Sequence, residues 1–245
     1  MQIIRRNVGL TVGDSLMRVY VALPKPAGQY PGILFYSDIY QLGSPMTRLA
    51  DRLAGYGYVV AAPEIFHRLE PIGAAIAPDD LGRLRGNDNA SQTAIAEYDA
   101  DAQAVLDFLK KEETVIPDKI GTIGFCIGGH LAFRAAFNDA VKASVCCYPT
   151  GIHNGKLGKG TADTLERMAE LKGKLFILFG TLDPHIPEAA RTRIMQELVR
   201  TGVSHTMSIY EANHTFMRDD GDRFDPAATD AAWTEITGFL SQVFG

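Results

Sequence analysis

The chain has 245 residues and a mass of 26.7 kDa, with 46% hydrophobic and 22% charged residues, which excludes a largely disordered chain and favours one domain over residues 1–245. Lys and Arg total 24 against 29 Asp and Glu, and no basic cluster predicts a nucleic-acid partner. No apolar run reaches the roughly 20 residues of a membrane helix, and the N-terminus lacks the apolar core of a secretory signal. We therefore expect a cytoplasmic protein whose three cysteines are reduced thiols.

Short apolar runs alternate with amphipathic segments along the chain, a pattern typical of a parallel sheet buried on both faces. The predicted strands begin with an N-terminal antiparallel pair and are, in chain order, residues 2–11, 16–23, 32–37, 58–62, 119–125, 143–147, 175–180 and 206–210. The predicted helices are residues 45–55, 91–111, 127–137, 161–171, 187–201 and 226–243. This alternation predicts an α/β fold with a mostly parallel, doubly wound sheet and helices on both faces.

Local chemistry supports two of the helix ends and singles out one loop. Pro187 suits a first helical turn, and Gly202 follows a helix ending in Arg200, where a left-handed cap favours glycine. Residues 69–90 contain several prolines and glycines, scattered charges and no clear period. Loops of this length inside a compact domain often cover a site, so we predict a lid here.

The most informative stretch is the junction between a predicted strand and the helix after it, where the sequence reads Gly124-Phe125-Cys126-Ile127-Gly128-Gly129. This pattern is typical of a nucleophile elbow, a strained turn that admits only small residues two positions either side of its centre. Cysteine would be the nucleophile, because a helix N-terminus favours the thiolate, and the N–H of Ile127 would point at a developing oxyanion. The alternative is a buried structural cysteine in an ordinary turn.

Two further residues follow predicted strands in the chain order of a catalytic triad. Asp183 comes just after strand 175–180, and His214 lies in the loop after strand 206–210. The carboxyl ends of parallel strands meet at one edge of the sheet, although Asp183 taken alone also suits a helix cap or turn. Together with Cys126 these residues predict a triad in which the thiolate attacks a carbonyl, His214 moves the proton and Asp183 orients the imidazole.

These motifs resemble the dienelactone hydrolase family of the α/β-hydrolase superfamily over nearly the whole chain. Beyond the elbow, the resemblance is carried by residues 34–40, 58–64 and 224–233. It implies an α/β-hydrolase fold and a hydrolase of the carboxymethylenebutenolidase type, which cleaves an ester or lactone through a thioester acyl-enzyme. It also implies that a second oxyanion donor is the N–H of Ile39.

The resemblance also implies how the thiol and the substrate are held. Asp38 stands where prototype members carry a glutamate that modulates the resting thiol, and its shorter side chain leaves substrate-triggered activation of the thiolate open. Alternatively, Asp38 is an N-cap or turn residue. Arg218, four residues after His214, matches an arginine that holds the substrate's carboxylate, and its fork suits that group. The alternative is a surface arginine paired with a nearby acid, namely Asp219, Asp220 or Asp222.

Other substrate contacts are assigned more loosely. Arg83 or Arg85 corresponds to a further anion-binding arginine in the family's lid, and Tyr148 and Tyr40 are expected to line the pocket. The preferred substrate is then a small ester or lactone, possibly carboxylate-bearing, such as a dienelactone.

The remaining histidines and cysteines predict no second site. Cys146 and Cys147 suit strand packing, and His130 suits a buried or capping role. His67, His153, His185 and His205 fall in predicted loops or at a strand start, and no metal-ligand spacing occurs, so we expect no metal and no cofactor.

Three alternatives remain open on the sequence. The first is a general small-ester carboxylesterase or thioesterase. The second is a non-catalytic α/β-hydrolase scaffold that binds a small ligand. The third is a redox sensor in which Cys126 pairs with Cys146 or Cys147. The sequence leaves the oligomeric state undetermined.

Overall fold

The computed structural model describes residues 1–245 and begins with a long hairpin. Strands β1 (Ile3–Val12) and β2 (Ser15–Pro24) pair antiparallel, and Val12 faces Ser15 across a two-residue turn. Gly13 takes a φ of 58° in this turn, a left-handed conformation that glycine adopts without steric cost. The predicted N-terminal strand pair is confirmed.

Six further strands extend this hairpin into one eight-stranded sheet. They are β3 (Tyr30–Tyr36), β4 (Val59–Pro63), β5 (Val115–Phe125), β6 (Val141–Cys147), β7 (Lys174–Gly180) and β8 (His205–Tyr210). The sheet order is β1-β2-β4-β3-β5-β6-β7-β8, and all pairs from β4 to β8 are parallel. The prediction of a mostly parallel sheet is therefore confirmed.

Five α-helices lie between these strands, and a sixth follows β8. They are α1 (Ser44–Gly55), α2 (Asp80–Gln92), α3 (Ile95–Lys111), α4 (Ile127–Ala135), α5 (Glu188–Thr201) and α6 (Pro226–Phe244). Gly202 caps α5 with a φ of 69°, as predicted, and Pro187 lies one residue before that helix starts. No helix is long and apolar enough to cross a membrane.

The helix predicted over residues 161–171 is wrong. Only a short 3-10 turn, Met168–Glu170, forms in this segment. The side chains of Asp163 and Thr164 accept hydrogen bonds from the guanidinium of Arg134 on α4. These contacts tie the segment to α4 in a non-helical course that begins after Gly160, whose φ is 96°.

The segment 69–90 and the helix predicted over 91–111 also need correction. Helix α2 occupies the second half of this segment and continues to Gln92, so α3 starts at Ile95 instead. The chain leaves α2 at Thr93, whose carbonyl accepts a hydrogen bond from the N–H of Lys159. A new helix then starts, because the carboxylate of Glu97 accepts a hydrogen bond from the N–H of Ala94.

Packing places three strand ends close together. The apolar side chains of the central strands form one buried cluster with the inner faces of the helices. At the carboxyl ends, β3 leads to Asp38, β5 leads to Cys126 and β7 leads to Asp183. These ends lie along one edge of the sheet, where sites in α/β folds collect.

Candidate active site

Cys126 lies in the tight turn between β5 and α4 with φ 60° and ψ −121°. This backbone conformation is strained for a residue with a side chain, and such strain is typical of functional positions. A Cβ atom at Gly124 would lie 1.9 Å from the carbonyl oxygen of Gly128, and one at Gly128 would lie 2.1 Å from that of Ser37. The turn therefore closes only with glycine at both positions, as the elbow pattern predicts.

Asp183 and His214 meet through a direct hydrogen bond. Nδ1 of His214 lies 2.6 Å from Oδ2 of Asp183, and both residues are buried. Oδ1 of Asp183 accepts a second hydrogen bond, 2.8 Å long, from the N–H of His185. Burial would raise the pKa of Asp183, but the hydrogen bond from His214 and its charge hold that pKa below the usual value. The carboxylate is thus ionised and fixes the imidazole.

The electrostatics of His214 link it to Cys126. Burial lowers the pKa of His214, but the charge of the Cys126 thiolate and the hydrogen bond to Asp183 outweigh it and raise this pKa to about 9. The raised pKa favours the protonated imidazole, which is the form of the ring that stabilises a neighbouring thiolate. The chain thus brings together the three residues that the sequence predicts for the triad.

Two backbone amides near the ends of β3 and β5 are candidates for an oxyanion site. Ile127 is the first residue of α4, so its N–H has no acceptor within the helix. The N–H of Ile39 makes no hydrogen bond to the protein, although the N–H groups of Tyr40 and Gln41 after it do. Both N–H groups follow the carboxyl ends of adjacent strands, β5 and β3. They are the two donors that the sequence and the family resemblance predict for an oxyanion.

The loop that carries Ile39 is fixed by residues that sequence reasoning missed. Gln41 is buried with a φ of 61°, and its side chain accepts from the N–H of Phe66 and donates to the carbonyl of Ala74. Helix α2 touches the same loop, since a Cβ at Gly86 would lie 2.5 Å from the carbonyl oxygen of Ile39. No sequence pattern identifies Gln41, because its role depends on contacts with two distant segments.

Arg218 is buried beside this loop rather than exposed at the surface. Its Nη1 donates to Oδ2 of Asp38 at 2.5 Å, and its Nε lies 2.8 Å from Oδ1 of Asp220. The guanidinium carbon lies 4.9 Å from the centre of the Tyr40 ring. Burial raises the pKa of Asp38, and the charge of Arg218 opposes that rise. The sequence offers Asp219, Asp220 and Asp222 as partners of Arg218. Of these, Asp220 pairs with Arg218, whereas Asp219 pairs with Arg48.

Comparisons with known proteins agree with this architecture. The sequence pattern described as "Dienelactone hydrolase family" matches residues 17–244. The chain belongs to the dienelactone hydrolase family. It is 37% identical to a candidate carboxymethylenebutenolidase of Saccharomyces cerevisiae, over 97% of this chain and 89% of that protein. It is 26% identical to the carboxymethylenebutenolidase of Pseudomonas sp. (strain P51), over 90% of this chain and 87% of that protein.

Solved structures support the fold of this family member. A candidate dienelactone hydrolase from Klebsiella pneumoniae superposes with a TM-score of 0.84 at 22% identity, covering 99% of this chain and 100% of that one. At this identity the likeness concerns the fold, which is that of an α/β-hydrolase. With the family established, the protein is a carboxylic ester hydrolase of the dienelactone hydrolase type.

Within this dienelactone hydrolase fold, the two arginines of α2 differ in their surroundings. Arg85 donates through Nε to the buried carboxylate of Glu70 at 2.7 Å, and a second contact completes a two-pronged ion pair. Arg83 is exposed and touches Asp80 at 3.3 Å. Burial raises the pKa of Tyr40 and lowers that of His185, and the charge of Arg83 makes a small lowering contribution to both, so Arg83 lies near Tyr40 and His185.

Aromatic rings surround the imidazole of His214. The Tyr148 ring meets His214 edge to face with centroids 5.3 Å apart, and the Tyr148 hydroxyl is buried without a hydrogen-bond partner. On another side, His185 lies 4.7 Å from His214 between ring centroids. Burial, followed by the charge of His214, lowers the pKa of His185. The sequence places His185 in a predicted loop and gives it no role, although its position two residues after Asp183 is a usable signal.

Other histidines have structural partners. His130 is buried between the carbonyl of Thr150 and the hydroxyl of Thr164, and burial lowers its pKa to about 3. His67 is buried between Ser15 and Asp101. Nε2 of His67 lies 2.8 Å from Nη1 of Arg68 and 3.1 Å from Oδ1 of Asp101, and Arg68 also donates to both carboxylate oxygens of Asp101.

The other two thiols are buried in β6. Burial raises the pKa of Cys147 well above its usual value and that of Cys146 to about 12, and all three cysteines are unpaired. No group of three or more His, Cys, Asp or Glu side chains has the arrangement of a metal site.

Proposed function

We propose that this enzyme hydrolyses small carboxylic esters or lactones through a thioester on Cys126, with His214 and Asp183 completing the triad. The observation that supports it best is the Asp183–His214 hydrogen bond beside a cysteine at a strained strand-to-helix turn. A cysteine that only packs in the core does not require a buried imidazole beside it. Here the charge of the Cys126 thiolate raises the pKa of the buried His214. This arrangement favours the enzyme over a non-catalytic scaffold.

The chemistry begins with attack of the Cys126 thiolate on the carbonyl carbon. The N–H groups of Ile127 and Ile39 stabilise the oxyanion of the tetrahedral intermediate. The imidazolium of His214 then gives its proton to the leaving oxygen, the C–O bond breaks, and a thioester forms. For a lactone the released hydroxyl stays attached to the acyl group.

Deacylation reverses these roles. Neutral His214 takes a proton from water, and the resulting hydroxide attacks the thioester carbonyl. Collapse of the second tetrahedral intermediate breaks the C–S bond, releases the acid and restores the thiolate beside an imidazolium. Asp183 keeps the imidazole in the required tautomer through both halves of the reaction.

The residues around the triad are proposed to bind the substrate and to modulate the Cys126 thiol. Residues 69–90 are proposed to cover the site, with Arg83 rather than Arg85 reaching the substrate, because Glu70 occupies Arg85. Tyr40 and Tyr148 are proposed to line the pocket. Thiol modulation by Asp38 requires its release, because Arg218 and the N–H of Tyr40 occupy its two oxygens.

Steady-state hydrolysis of 4-nitrophenyl acetate by four proteins tests the proposal: wild type, Cys126→Ala, His214→Ala and Cys146→Ala. The first two substitutions are expected to lower kcat/KM by about 10³-fold or more, as for other nucleophile–base pairs. Cys146 is the matched control, because it is a fully buried thiol of the same sheet whose Sγ contacts Ser144. Full activity of the Cys126 variant would show that another residue is the nucleophile.

A further inference from the structure

The guanidinium of Arg218 is enclosed on three sides. Asp38 contacts Nη1 at 2.5 Å, Asp220 lies 2.8 Å from Nε, and the Tyr40 ring covers one face. The Arg218 and Asp38 side chains are 5% and 2% exposed, whereas that of Asp220 is 37% exposed. Asp220 is thus the partner on the solvent side of this guanidinium.

Both donor edges of Arg218 are already used by protein carboxylates. An arginine binds a carboxylate best with two parallel N–H groups, either Nε with Nη2 or Nη1 with Nη2. Asp220 lies along the first edge, where its Oδ1 is 2.8 Å from Nε without hydrogen-bond geometry and its Oδ2 accepts from Nη2 at 3.5 Å, and Asp38 accepts from Nη1. One positive and two negative side chains leave this cluster with a formal charge of −1.

This cluster borders the reacting thiol. The charges of Asp38, Arg218 and Cys126 all act on Tyr40 and on Tyr148, so the ion pairs and the thiol are both near these two rings. Asp38 directly precedes Ile39, the proposed oxyanion donor, so a substrate bound at Cys126 lies close to a cluster that is net negative. Repulsion between this negative cluster and a substrate carboxylate disfavours binding of the charged substrate.

We propose that Asp220 occupies the place of a substrate carboxylate on Arg218 and thereby selects uncharged esters and lactones; this rests on the proposed function of the same site. A substrate carboxylate has to displace Asp220, which is two residues away in the same turn and so competes at high effective concentration. The substrate carboxylate also has to approach the side chain of Asp38, which carries the same sign of charge. Selectivity by a repulsive group of this kind is a common way to reject one substrate class.

The test compares two substrates that differ in one charge. They are the 4-nitrophenyl half-ester of adipic acid with a free carboxylate and the same compound with that carboxylate methylated. Wild type is expected to have a kcat/KM at least about tenfold higher on the methylated ester. Asp220→Asn is expected to shift the ratio by about tenfold towards the charged ester, and Asp220→Ser is expected to act in the same direction.

Asp222→Asn is the matched control, because Asp222 is an exposed acid of the same turn without an ion pair. Its ratio is expected to equal that of wild type, which separates the contact with Arg218 from a general change in charge. The inference is overturned if wild type hydrolyses both esters equally well, or if both Asp220 variants keep the wild-type ratio. Hydrolysis of neither ester by wild type contradicts the proposed function itself, and the inference with it.

Discussion

Cys126 differs from the other two thiols in its surroundings. It keeps 8% of its surface exposed at a helix N-terminus, whereas Cys146 and Cys147 have none exposed and their thiol pKa values are raised by burial. Thiolates, not thiols, react with alkylating agents. One equivalent of iodoacetamide at pH 7 is therefore expected to label Cys126 alone and to remove activity in proportion. Peptide mass spectra measure the site, and labelling of Cys146 or Cys147 at a similar rate would contradict the assignment.

The raised pKa of His214 provides a second test at this scale. The value of about 9 depends on a thiolate next to the ring, which stabilises the protonated form. In Cys126→Ala this charge is lost while burial remains, so the pKa of His214 is expected to fall. Titration of the ring resonances by NMR measures the change, with Cys146→Ala as the control. An unchanged pKa in the Cys126 variant would mean that the thiol is not ionised beside His214.

The sequence predicts most of the residues that meet at the site, for definable reasons. Cys126 is marked by glycines that only a tight turn requires, and Asp183 and His214 are marked by their positions after strands of a parallel sheet. The pairing of Arg218 could not be predicted. Several acids follow it, and the course of the turn decides that Asp220 contacts it while Asp219 points to Arg48.

At the scale of elements, α2 shows why a helix can escape sequence analysis. Its buried residues are Gly82, Gly86, Asn89 and Ala90, which have helical spacing but are small or polar. Prediction of a helix from periodicity depends on large apolar residues at helical spacing. The small and polar residues of α2 therefore do not predict a helix. At residues 161–171 the reverse holds: the sequence has helical spacing and predicts a helix that does not form. Arg134 holds Asp163 and Thr164 in a different conformation.

Contact between α2 and the Ile39 loop predicts an effect on catalysis. In Gly86→Ala the new Cβ would lie 2.5 Å from the Ile39 carbonyl oxygen, so the loop has to move and carry the Ile39 N–H with it. We expect kcat to fall about tenfold or more with a smaller change in KM, because an oxyanion donor acts mainly in the transition state. Steady-state kinetics on 4-nitrophenyl acetate measure both constants.

Gly238→Ala in α6 is the matched control for that substitution. Apart from the backbone of its own helix and its chain neighbours, no atom lies within 4 Å of a Cβ built there, and alanine favours a helix over glycine, so activity is expected to be retained. If Gly86→Ala were as active as Gly238→Ala, the Ile39 amide would not be an oxyanion donor held by α2.

At the scale of the whole molecule, the single sheet and the single buried core predict that the chain unfolds cooperatively. All eight strands belong to one sheet, and the buried apolar side chains form one continuous cluster that includes Trp233 of α6. Thermal unfolding followed by far-UV circular dichroism and by Trp233 fluorescence is expected to give the same midpoint. Two separate transitions would contradict the single domain predicted over residues 1–245.

The central claim is that the reaction passes through a thioester on Cys126, and trapping that species tests it most directly. Wild-type enzyme mixed with excess 4-nitrophenyl acetate is quenched in acid within the first turnovers, digested and analysed by mass spectrometry. The account predicts one added acetyl group on the peptide that contains Cys126, removable by neutral hydroxylamine as a thioester is. An acetyl group on a different residue, or hydrolysis with no acyl-enzyme and full activity in Cys126→Ala, would contradict it.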